Sequence, residues 1–86
     1  SLPKYSHNGI IYRLESTEDG YILYENRKDD YVKSGDITKT SREGMYLFTK
    51  DGKSMLANFD VDNNLIIDEV DSDGDPKQNK YIRVKD

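Results

Sequence analysis

The chain predicts an all-β fold, a small antiparallel meander forming a barrel-like or compact sandwich domain of six to seven short strands. Three observations carry that expectation. Apolar runs of five to seven residues alternate with polar ones at the two-residue period of a half-buried strand. Clusters rich in Asp, Gly and Asn separate the runs, as hairpin turns require. No stretch of ten or more residues repeats apolar side chains at the i, i+3, i+4 spacing of an amphipathic helix.

The elements follow in order. Residues 1–8 hold Pro3 and the single histidine, His7, without periodicity, and read as an irregular lead-in. In residues 10–15, Ile10, Tyr12 and Leu14 share one face against Arg13 and Glu15, which predicts the first strand. Residues 16–20 end on Gly20, a hairpin loop leading into a second strand over 21–26. Residues 31–33 predict a short third strand that stops at Ser34-Gly35-Asp36, and 37–44 read as a loop.

Residues 45–49 predict the next strand. Lys50-Asp51-Gly52-Lys53 then carries the best two-residue hairpin signal in the chain. In the partner, residues 54–60, the alternation turns Met55, Ala57, Phe59 and then Val61 toward the core. Asp62-Asn63-Asn64 tolerates left-handed backbone and leads into a strand over 65–70. Asp73-Gly74 turns the chain again toward 80–85, where Ile82 and Val84 are expected inside and Tyr81, Arg83 and Lys85 outside.

An 86-residue chain makes one domain, 1–86, because it buries only roughly 60–65% of its unfolded surface and supports a single core. That core is thin: 34% of residues are hydrophobic and 35% charged. No cysteine is present, which removes disulfides, zinc–thiolate sites and thiol nucleophiles and leaves the compartment undetermined. No signal or transmembrane segment is visible, and a soluble domain with no membrane partner is expected.

Charge is uneven. Residues 1–53 carry nine basic and nine acidic side chains, whereas 54–86 carry four and eight, which accounts for the net −4. Seven acids fall between Lys53 and Lys77 with no base among them, so nucleic acid is disfavoured and an acidic 60–75 face is expected to suit a basic protein partner.

The same stretch holds the metal candidates. Asp60, Asp62, Asn64, Asp68 and Asp71 occupy positions 1, 3, 5, 9 and 12 of a calcium-loop window, but Leu65 replaces the glycine at position 6 and no helix flanks it. Asp71, Asp73 and Asp75 form a second set able to hold Ca²⁺ on a β-turn, though Asp and Gly are also simply what hairpin turns use. No cofactor is otherwise implied, and no catalytic residue is assigned. His7 is the only possible imidazole base and lies in an unpatterned segment.

Seven tyrosines in a chain without tryptophan supply contact area at low entropic cost. The expectation is therefore a non-enzymatic module for protein–protein recognition through exposed tyrosines, a sheet edge and the acidic face. Tyr24, Tyr81, Arg83 and Asp68 are the candidate contact residues, and the oligomeric state is open. Two alternatives stand beside it: a Ca²⁺-stabilised extracellular β module, and a small carbohydrate-binding or hydrolytic domain using Tyr and Asp.

Overall fold

In the computed structural model, which describes residues 2–85, eight antiparallel strands follow one another around a closed barrel. They are β1 (Lys4–His7), β2 (Ile10–Thr17), β3 (Gly20–Arg27), β4 (Asp30–Lys39), β5 (Tyr46–Lys50), β6 (Lys53–Phe59), β7 (Leu65–Val70) and β8 (Pro76–Val84). Ser1, part of the expected lead-in, and Asp86 lie outside the described residues.

The extra strand comes from that lead-in. Tyr5 turns into the core at 4% exposure, and β1 bonds both β2, through Tyr5↔Tyr12, and β8, through Tyr5↔Arg83. Four residues too short to show periodicity thus close the barrel and remove the sheet edges that an open meander would expose.

β4 also exceeds the expectation, running ten residues where the sequence predicts three. Its ladder with β3 shifts register between Leu23 and Tyr24, which pair with Gly35 and Lys33 and leave Ser34 as the extra residue of a bulge, and the strand continues through Ile37, which is 1% exposed. A Cβ at Gly35 would lie 2.6 Å from both the Phe48 ring and the Thr49 carbonyl oxygen. The glycine that reads as a stop is where β5 packs too close to β4 for a side chain.

Alternation places Leu14, Leu23, Ile37, Phe48, Ala57, Leu65 and Ile67 in one buried cluster, enough to fill the interior of an eight-stranded barrel. Above it, Tyr21, Tyr46 and Phe59 pack with ring centroids 5.5–5.8 Å apart. Below it, Tyr81 stacks on His7 at 4.2 Å and meets Tyr12 edge-on at 5.0 Å.

This arrangement corrects the expected facing of the last strand. Tyr81 is buried at 9% exposure opposite Leu65, and Arg83 turns in over Tyr5, whereas Ile82 is 45% exposed opposite Ser6. The run carries apolar side chains on both faces, and closure against β1 and β7 selects the face with the larger aromatic. Val61, expected inside, is 98% exposed because β6 ends at Phe59 and Val61 caps the turn beyond it.

Candidate binding site

The two aspartate-rich stretches form the same five-residue loop, at opposite ends of β7. In the loop joining β6 to β7, the Asp60 Oδ1 accepts the backbone N–H of Asp62 and of Asn64, each at 2.9 Å. In the loop joining β7 to β8, the Asp71 Oδ1 accepts those of Asp73 and Asp75, again at 2.9 Å. Matching main-chain bonds run from Asp60 N–H to Asn64 C=O and from Asp71 N–H to Asp75 C=O. The first aspartate of each loop thereby supplies the acceptor that the tight turn leaves its amides without.

The two sets consequently lie at opposite ends of a six-residue strand rather than on one acidic face. Among the described residues, no three or more of His, Cys, Asp and Glu come together as a metal-binding group. Asn64 is committed elsewhere: its Nδ2 donates to Asp60 Oδ2 at 3.1 Å, and its Oδ1 accepts the Arg83 N–H at 2.9 Å.

Those amides, those of Asn64 first, hold the Asp60 carboxyl below its usual range, with Lys80 at 3.7 Å adding a favourable charge and burial opposing them. Because the folded value lies below the unfolded one, the contribution is fully present above the unfolded pKa of about 3.9 and is lost as pH falls through the folded value. Asp60→Asn is therefore expected to be less stable than the parent at pH 7, with the gap closing below about pH 4. Urea unfolding of both proteins across pH 2–7 checks this. A gap that stays constant with pH would mean that charge on Asp60 is not what the turn uses.

The four expected contact residues are dispersed. Tyr81 is in the core, and Arg83 donates to the carbonyl oxygens of Lys4 and Val84. Tyr24 lies on the outer face of β3, half-buried, its hydroxyl donating to Glu15 at 3.3 Å. Only Asp68 is exposed, on β7, beside a break in the barrel wall.

That break opens a cleft in the barrel wall. The β6–β7 ladder runs Phe59↔Leu65, Asn58↔Ile66, Ala57↔Ile67 and Leu56↔Asp68, then stops, although β6 continues to Lys53 and β7 to Val70. The same register calls for Met55↔Glu69 and Ser54↔Val70 next. Instead the two strands part, each still paired on its other side: β6 with β5 down to Lys50↔Lys53, and β7 with β8 down to Val70↔Pro76. A cleft of about 980 Å³ opens between the two hairpins.

The alternation of an antiparallel ladder identifies the backbone groups left facing this cleft. Asp60 N–H points across to β7, and counting back by twos, so do those of Asn58, Leu56 and Ser54. Asp71 N–H points to β8, so Val70, one residue earlier, points the other way. Pro76, opposite Val70 and without an N–H, fits that assignment. Ser54 and Val70 therefore each turn an N–H and a C=O toward the gap.

Side chains line it in two layers. Outward lie Leu56, 48% exposed, and Val70, 70% exposed, with Asp68. Inward, on the faces of Phe48, Met55 and Asn79, lie Lys50, Lys53 and Lys77, with Glu69 bonded to Asn79 Nδ2. On β3, Arg27 Nε donates to Glu25 at 2.6 Å and holds that carboxyl below its usual range, against burial and with help from Lys50. Burial is the main reason the neighbouring Tyr81 phenol is raised.

Asp68 apart, none of the residues lining the cleft is read as a contact site from the sequence, which treats Lys50 and Lys53 only as flanks of a hairpin. The available signal is their type: lysines at strand ends and a proline opening a strand are how sheet edges are commonly marked. No protein-family model matches the chain, and neither a curated protein nor a solved structure matches it significantly.

Proposed function

We propose that the chain is a non-enzymatic binding module that engages a protein partner by accepting an extended segment between β6 and β7. One observation carries this reading: the β6–β7 ladder stops after Leu56↔Asp68 while both strands continue, leaving the backbone of Ser54 and Val70 turned toward each other across an open cleft. Strand addition uses main-chain hydrogen bonds for affinity and flanking pockets for selectivity. Ser54 and Val70 offer four such groups. At about 1 kcal/mol net each, they bring the backbone contribution to roughly 4 kcal/mol, which corresponds to a dissociation constant of about 1 mM. Useful affinity then comes from the side chains that line the gap, and a transient interaction is the natural outcome.

The test is a selection of displayed random-sequence peptides on the domain, with Ser54→Pro and Val70→Pro as comparators. Each substitution removes one N–H that faces the cleft and leaves the β5–β6 and β7–β8 ladders their donors. Selected peptides are expected to bind about fivefold or more weakly to both variants, with the barrel intact by circular dichroism. Peptides that bind both variants as well as the parent would place recognition elsewhere and end this reading.

A further inference from the structure

Resting on that reading, we infer that the segment received between β6 and β7 carries an apolar residue centred between Ser54 and Val70 and an acidic residue next to it in the chain. β6 and β7 are antiparallel, so a strand between them is necessarily antiparallel to one and parallel to the other. In either direction one residue of the guest lies level with both Ser54 and Val70. Its side chain projects on their face, the outer one, where Leu56 and Val70 present exposed apolar surface.

The residues before and after it project inward. On the Met55 side the inward position meets Met55 and Glu69, which suits an apolar side chain. On the other side, toward the barrel mouth, it meets Lys50, Lys53 and Lys77, three ammonium groups on one rim. Lys50 and Lys53 face each other directly across their hairpin, a like-charge pairing that costs stability in the empty barrel. On the inward strand faces that line the gap, Glu69, opposite Lys77, is the single acid against these three bases; Asp51, in the turn between Lys50 and Lys53, and Asp68, on the outer face, complete the charged lining. A guest carboxylate on this rim offsets their repulsion, whereas a guest ammonium adds to it.

Four probes decide the matter: acetyl-Val-Val-Glu-Thr-amide and acetyl-Thr-Glu-Val-Val-amide, which place the acid for the two strand directions and end short of the Leu56↔Asp68 pair, and the same two with Lys for Glu. Each is titrated into the ¹⁵N-labelled domain at low salt and followed at the Ser54 and Val70 amides. At least one glutamate probe is expected to shift both resonances with a dissociation constant of about 0.1–1 mM, and its lysine counterpart to bind about tenfold more weakly. In the double variant Lys53→Glu, Lys77→Glu, whose sites are exposed, the order is expected to reverse.

Equal binding of glutamate and lysine probes would overturn the acidic assignment and leave strand addition standing. Shifts confined to other residues, or none at millimolar peptide, would overturn strand addition itself. So would hydrogen-exchange protection of both amides in the free domain, since it would mean that the ladder zips shut. Dimerisation of the domain by sedimentation, with these amides buried in the dimer, would make a second copy of the chain the occupant and overturn the assignment to a partner segment.

Discussion

Replacing Gly20 with alanine is expected to lower the melting temperature by about 15 °C or more. Gly20 opens β3 with φ +153°, outside the range that L side chains adopt with ease, and a Cβ there would lie 2.0 Å from the Ile37 carbonyl oxygen. That oxygen belongs to backbone, not to a side chain that can swing aside. Nor can the strand retreat: Gly20 pairs with Thr17 on one side and Thr38 on the other, and Lys39 N–H donates to the Asp19 carbonyl at 2.8 Å just above it. The new methyl group must therefore displace β4 from β3, and Ile37, 1% exposed, sits at the point of displacement.

A clash of this kind belongs to the strained-backbone class of destabilising changes, about 3 kcal/mol or more. At 4–8 °C per kcal/mol for a domain of this size, the stated drop follows. Gly9→Ala is the matched comparison. Gly9 has φ +76° with nothing within 4 Å of the added Cβ, so it bears only the left-handed penalty of about 1–2 kcal/mol. Thermal unfolding of both variants by circular dichroism separates crowding from backbone conformation. Equal drops in the two would show that the approach of Ile37 is not what requires glycine at position 20.

Gly20 also shows which parts of such a fold local sequence can express. The hairpin it belongs to is legible because period-two runs flank a turn residue, and Asp51-Gly52, with φ of 50° and 76°, is legible for the same reason. Both depend only on residues near each other in the chain. β1 does not: its four residues become a strand because β2 and β8 lie on either side, and only closure supplies β8. The facing of β8 is decided over the same distance. Tyr81 on one face competes with Ile82 and Val84 on the other, and burial against Leu65 and Tyr12 settles it.

The candidate site is harder still to read, because it is the end of a pairing rather than a pattern of residues. Nothing in the identities of Met55 and Glu69 forbids them from pairing, and the lysines that crowd the mouth come from β5, β6 and β8. The aspartates are the converse case. Their spacing invites a metal reading from sequence, yet Asp60 and Asp71 each hold two amides of their own turn. Oxygens at i, i+2 and i+4 are what this loop needs at its first position and tolerates at the others.

Asn64→Ala tests how far that loop supports the barrel, and the expected loss is about 2–3 kcal/mol, or roughly 10–20 °C. Asn64 is 8% exposed and links three elements. Its backbone N–H and Nδ2 both reach the Asp60 carboxylate at the end of β6, and its Oδ1 accepts the Arg83 N–H of β8. Alanine keeps the first bond and removes the other two. The Arg83 amide then lies in a part-buried position without its acceptor, and an unmade bond costs more than a made one contributes. Asn63→Gly, one residue earlier at φ 64°, changes the same turn without touching these bonds and is expected to shift stability by less than about 0.5 kcal/mol. A drop below about 4 °C for Asn64→Ala would mean that solvent reaches the Arg83 amide. If the larger loss is found, the upper end of the barrel is held by a side-chain bracket at the junction where the β6–β7 ladder begins. At the lower end, among the described residues, no side-chain hydrogen bond joins β6 to β7, and there the same two strands part.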